Sequence, residues 1–294
     1  MEEETKELKS WGVNQNMYNV KFHCNYCSDE EIYQRVVTMT PNNTGRWKNV
    51  NVVKDNYDVF VIMNYPMHDN YDKSKTIVFE SETPTTRRLF PAFYQGRETE
   101  FLHVHKTESF FNVDLWYHGM SFDELTNPLN FEKTRSMSIV NSSLNNLPGH
   151  IKRNNFISKL AGVVDYDLYG RGYSSNPRYR GGLNKKYQGL VNYKYTFNCE
   201  NDFEPNYFTE KILDGVMCEN LTFYYGCPNI INFINPNAFI DLDLNNEQEA
   251  LYIIRDCINN DIWRTMIPDI KEEKRRIMVD YNVLNIINNI LDGI

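Results

Sequence analysis

Short apolar runs that end in turn formers and lead into helix-like periodicity recur along the whole chain. This alternation constrains the fold more than any other feature. It predicts strands and helices in turn, hence a layered α/β fold. Residues 19–24 read as a first strand. Ser28 or Asp29 caps the helix behind it, with Glu30 and Glu31 in its first turn. Residues 59–63 and 76–79 read as buried strands, closed by Asn64-Tyr65-Pro66 and by Glu80-Ser81-Glu82-Thr83-Pro84. Ligands of open α/β sheets bind beyond the carboxyl ends of strands, so a carboxylate in the 80–84 loop is a candidate functional group.

Residues 127–137 are rich in turn formers and weak in periodicity, and are taken as a linker. Beyond it the alternation resumes. Strands are expected at 137–141, 163–169, 193–197, 221–225 and 239–244. Helices are expected at 153–160, from Thr209, at 247–258 and at 281–291. Residues 172–192 read as an exposed basic loop. The chain therefore divides into an N-terminal unit, 1–136, and a C-terminal unit, 137–294, whose last helix is free to pack back on the first unit.

Composition excludes several classes. A formal net charge of −8 and a pI near 5.4 argue against a nucleic-acid binder. No run approaches the ~18 apolar residues of a membrane helix. The start, Met1-Glu2-Glu3-Glu4, lacks the basic and apolar regions of a secretory signal, so a cytoplasmic location is expected. Six cysteines in 294 residues do not make a disulfide scaffold. Cys24 and Cys27 form a C-x-x-C with no second pair at zinc spacing. Asp165-Tyr166-Asp167 and Asp241-Leu242-Asp243 fit a metal-binding D-x-D, but such triplets are common by chance. His103 and His105 alternate on a strand without a third ligand. None of these is assigned a metal.

The most informative segment runs from Tyr193-Lys194-Tyr195 through Glu200-Asn201 to Tyr207-Phe208-Thr209-Glu210-Lys211. A strand ends in a polar loop that enters a helix N-terminus, where unpaired N–H groups and the helix dipole favour an anion. Lys211 puts a cation at that positive end. A phosphate between Lys211 and the amides would relieve the conflict; an ordinary surface lysine is the alternative.

This string closely resembles the signature of glycosyltransferase family 10, the α1,3/4-fucosyltransferases, which reads roughly Y-K-F-x-L-x-F-E-N, a spacer, then D/G-Y-V/I-T-E-K. Tyr224-Tyr225-Gly226-Cys227-Pro228 resembles the Y-W-G-x-P that follows. Arg153-Asn154-Asn155-Phe156 stands where the family has an arginine at a helix start. Val78-Phe79-Glu80-Ser81 resembles its F-E-S element, and residues 20–31 its first βα unit. There are departures. Phe208 replaces Val or Ile, Tyr225 replaces Trp, and Thr196 and Asn198 replace apolar residues beside Cys199, where Phe is usual. These are expected to tune packing.

The resemblance implies a GT-B fold: two Rossmann-like domains facing across a cleft, the C-terminal one holding GDP-fucose and the N-terminal one a glycan acceptor. It is that of a soluble bacterial or viral type. The implied reaction inverts the anomeric carbon and gives an α1,3-type linkage. It requires no cofactor, and a divalent metal is at most stimulatory. Glu80 would be the general base, with Glu82 its rival. Arg153 and Lys211 would neutralise the diphosphate, Glu210 would bind the donor ribose, and Asn201 and Tyr207 would contact diphosphate or fucose. The alternatives are a GT-B transferase with another nucleotide sugar and a catalytically silent carbohydrate-binding protein.

Overall fold

The computed structural model describes residues 17–80, 83–89, 92–106 and 119–293. Glu82, the rival base, and residues 107–118 lie outside the described residues, as does the N-terminal Met1-Glu2-Glu3-Glu4.

The strands are β1 (Tyr18–Cys24), β2 (Arg46–Trp47), β3 (Val50–Val52), β4 (Val59–Met63), β5 (Thr76–Phe79), β6 (His103–His105), β7 (Arg135–Ser142), β8 (Asp167–Arg171), β9 (Tyr179–Gly181), β10 (Tyr193–Cys199), β11 (Leu221–Tyr225) and β12 (Phe239–Asp241). The helices are α1 (Asp29–Val37), α2 (Pro84–Leu89), α3 (Phe122–Thr126), α4 (Pro148–Leu160), α5 (Glu210–Met217), α6 (Glu247–Asn259), α7 (Ile262–Asp280) and α8 (Val283–Asp292).

They build two six-stranded sheets, in the orders β2-β3-β1-β4-β5-β6 and β12-β11-β10-β7-β8-β9. Among the described residues every strand pairing is parallel except β2 with β3. Parallel strands covered on both faces should read as unbroken apolar runs. Val59–Met63 and Thr76–Phe79 do, and both are buried along their whole length.

Ser28 forms the expected capping box with Glu31. The acids of the first D-x-D triplet are engaged in ion pairs: Asp165 with Arg178, and Asp167 with Arg135 and Arg180. β8 starts at Asp167, so Asp165 precedes the strand expected at 163–169. The second sheet begins at Arg135, just before the expected boundary.

Contacts that join the units include two sets. The last helix, α8, lies against β2 and β3. There the Trp47 indole N–H donates to Asn285 (3.3 Å) and the Asn49 backbone N–H to Asn288 (3.1 Å). At the other join, the Thr85 N–H donates to the Asp202 carboxylate at 2.8 Å, and Arg88 pairs with Glu204 at 2.9 Å.

Candidate active site

In the second sheet the chain lays down β7, β8 and β9 toward one edge, then returns to place β10 on the other side of β7. Strand order reverses between β7 and β10. At such a reversal the loops beyond the two carboxyl ends diverge and leave a crevice. A cavity of about 240 Å³ lies there, walled by Asn141 and Ser142 from the end of β7 and by Asn198 and Cys199 from the end of β10.

Two helix N-termini flank this cavity. Pro148 opens α4, and Gly149 and His150 follow. A Cβ on Gly149 would come within 1.8 Å of the Glu200 carbonyl oxygen, so only glycine lets the helix end approach the Glu200-Asn201 loop. One turn on, Arg153 donates to the Ser142 carbonyl at 2.9 Å and to Asn201 Oδ1 at 3.4 Å. Arg153 is 3% exposed, and its Nε has no partner among the described residues.

The second N-terminus is that of α5. Glu200, fully buried, accepts the Thr209 N–H at 2.9 Å and the Thr209 hydroxyl at 2.8 Å. It thereby caps α5 from outside the helix. The Tyr224 hydroxyl lies 3.4 Å from the same carboxylate. A Cβ on Gly226 would meet Glu200 Cγ at 2.5 Å, which explains a glycine after the tyrosines. Lys211 Nζ lies 3.3 Å from Glu200, 3.6 Å from Glu210 and 2.9 Å from the Thr209 hydroxyl. These carboxylates relieve the conflict of a lysine at a helix N-terminus, which the sequence had left to a bound phosphate.

Electrostatics follow from this clustering. Burial pulls the Lys211 ammonium down, but Glu200 and Glu210 outweigh it and hold the group above the usual lysine range. Burial likewise opposes the charge on Glu210, yet Lys211 and Lys186 keep its carboxyl below the ordinary value. Lys186 also lines the cavity and reaches Asp214 at 2.7 Å. It belongs to the basic stretch expected to be an exposed loop, and its inward turn depends on a partner 28 residues later. His150 is 4% exposed, with Nδ1 2.8 Å from Asn146 Oδ1. Burial first, then the Arg153 cation, lowers its pKa.

Of the residues singled out from sequence, Arg153, Asn201, Glu210 and Lys211 share this cavity. Tyr207 is 1% exposed and is not part of the wall, so it supports the loop from behind. Glu80 belongs to the first sheet, at the carboxyl end of β5. It is 7% exposed, its N–H donates to the His105 carbonyl at 3.1 Å, and one carboxylate oxygen accepts from the Tyr94 hydroxyl. Thr85, in α2, touches the Glu200-Asn201 loop through Asp202, next to Asn201. Lys186, from the basic stretch expected to be an exposed loop, also lines the wall, as do His150 and Asn198, which no sequence motif selects.

Residues 131–260 match the model of glycosyltransferase family 10 (fucosyltransferase), C-terminal part. No curated protein matches the chain. Among solved structures, an α1,3-fucosyltransferase matches with a TM-score of 0.52 at 16% identity, covering 86% of this chain and 82% of its own. The same kind of enzyme with GDP matches at 0.50 and 17% identity, over 87% and 82%. An α-glucosyltransferase in complex with UDP and a 13-mer DNA containing an HMU base matches at 0.52 and 8% identity, over 79% of each chain. At such identities the likeness speaks for the architecture, two Rossmann-like domains of the GT-B kind.

Proposed function

We propose that the chain, whose residues 131–260 match the model of glycosyltransferase family 10 (fucosyltransferase), moves fucose from GDP-fucose to a hydroxyl of a glycan acceptor. Transfer is by inversion, with an α1,3-type linkage. The observation that carries the donor assignment is the cavity at the β7/β10 reversal. It gathers the buried Arg153 guanidinium, with one N–H still unpartnered, beside Lys211 and the N-terminus of α4. Arginine offers a planar fork to two phosphate oxygens and lysine a point charge.

Chemistry then needs three things. Glu80 takes the proton of the acceptor hydroxyl as its oxygen attacks the anomeric carbon of fucose. The bond from that carbon to the β-phosphate oxygen breaks on the opposite face. Arg153 and Lys211 stabilise the negative charge that collects on the leaving GDP. Glu210 hydrogen-bonds the donor ribose, and Asn201, in contact with Arg153, orients the guanidinium. No cofactor enters this scheme. Among the described residues no helix is long and apolar enough to cross a membrane.

Calorimetric titration with GDP, GDP-fucose, GDP-mannose and UDP-glucose, with EDTA present, tests this. GDP and GDP-fucose are expected to bind without metal. Binding of UDP-glucose or GDP-mannose alone would give the site another nucleotide sugar. No binding to any of them would favour a catalytically silent carbohydrate-binding protein.

A further inference from the structure

Asn198 has a place in the cavity that nothing above uses. Side chains alternate along a strand. On β10, Phe197 and Cys199 turn toward α4: the Phe197 ring lies 5.0 Å from that of Phe156, and the Cys199 thiol lies 3.7 Å from the Gly149 carbonyl oxygen. Thr196 and Glu200 turn toward α5, where a Cβ on Gly215 would lie 3.2 Å from Thr196 Cγ2 and where Thr209 donates to Glu200. Asn198 stands between these two and shares their face. It lines the cavity with Glu210 and Lys186, and it is 7% exposed.

Its side-chain amide makes no hydrogen bond among the described residues. Such an amide carries two donors and an acceptor. The amide atoms are not sealed off: they open to the cavity, where a seated ligand can pair with them. The surroundings say what would pair with it. Glu210 accepts hydrogen bonds and repels phosphate, while the amide both donates and accepts. A carboxylate and an amide on one wall match two neighbouring hydroxyl groups. Phosphates are drawn instead toward Arg153 and Lys211.

We propose that Asn198, together with Glu210, reads the ribose diol of the donor nucleotide, and that Asn198 is the residue by which the site selects a ribonucleotide over a deoxyribonucleotide. This rests on the assignment of the cavity to a nucleoside-diphosphate sugar.

The test titrates the full chain with GDP, 2′-deoxy-GDP and 3′-deoxy-GDP, and repeats the series with Asn198→Ala. The wild type should bind 2′-deoxy-GDP about tenfold or more weakly than GDP. Asn198→Ala should lose about the same factor for GDP and nothing further for that analogue, so that the preference disappears. If the wild type binds all three alike, the proposal fails, and that comparison needs no variant. An equal loss for all three ligands in Asn198→Ala would reduce the residue to a structural role and also overturn it. Failure of GDP itself to bind the wild type would remove the donor assignment, and this proposal with it.

Discussion

A general base must be held in place and yet stay basic, and Glu80 meets the first condition through two fixed contacts. The Tyr94 hydroxyl holds its carboxylate and the His105 carbonyl holds its backbone. Glu80→Gln keeps the shape and removes the basicity. Turnover should fall by about 10²–10⁴-fold in a glycosyl-transfer assay, with GDP affinity unchanged. Normal turnover in that variant would move the role elsewhere, with Glu82 first in line. His150 gives a pH prediction. Its ordinary value of 6.5 is lowered in the folded protein, by burial first and by the Arg153 cation second. The unfolded chain therefore takes up a proton before the folded one does. Stability from the neutral imidazole is complete above 6.5 and is lost as pH falls through the folded value. Melting temperature should drop between pH 7 and 5.5 more steeply in the wild type than in His150→Gln. Parallel melting curves for the two would remove the effect. Legibility at this scale followed local pattern. Arg153, Asn201, Glu210 and Lys211 stand in motifs with readable spacing, whereas Lys186 turns inward only because Asp214, far along the chain, receives it.

At the scale of elements, the join between α4 and the Glu200-Asn201 loop has no room for an added side chain at Gly149. Gly149→Ala adds one methyl group where the Glu200 carbonyl oxygen already lies 1.8 Å from the new Cβ position. The helix end must retreat, and it carries His150 and Arg153 with it. The expected result is a destabilisation of about 2 kcal/mol, within the usual range for overpacking. GDP affinity should weaken by at least tenfold, measured by denaturant unfolding and calorimetry. Retained GDP affinity would show that the helix end is not part of the binding geometry. The strand–loop–helix from β10 to α5 was readable because its strand is apolar and its helix starts on an acidic turn. Helix α7, Ile262–Asp280, was not read at all. Pro268 interrupts it, and its buried face includes Glu273 and Lys274. These charges are tolerated because Lys274 meets Glu219 at 2.9 Å and Glu273 meets Arg276. A hydropathy pattern cannot show a face completed by ion pairs. β2 and β3, two and three residues long, were missed because neither is long enough to show a period.

At the scale of the molecule, the reaction proposed here needs a base from one sheet and a donor from the other, so the linkage between units is itself part of the chemistry. The sequence made two α/β units legible, because alternation of strand and helix survives any loop. It could not show how they meet. The contacts are single polar groups far apart in the chain, such as Asp202 with Thr85 and Trp47 with Asn285. Asp202 is the informative one. It is 6% exposed, follows the cavity residue Asn201, and does not line the cavity itself. Its carboxylate accepts the Thr85 N–H at 2.8 Å, in the first turn of α2, just beyond Glu80. A carboxylate there satisfies an unpaired helix N–H and opposes the positive helix end. It ties α2, which follows the proposed base Glu80 in the chain, to the loop that carries the cavity residue Asn201. Asp202→Ala should therefore leave GDP affinity within about twofold, since no cavity contact is removed, and lower kcat by about tenfold, the effect of one lost hydrogen bond to a charged group. Asp202→Asn keeps an acceptor oxygen and should recover part of the rate. Were GDP affinity to fall in step with kcat, Asp202 would be acting on the donor loop alone. Steady-state kinetics with a saturating acceptor, run beside GDP calorimetry, separates a residue that binds the donor from one that brings the two halves of the reaction together.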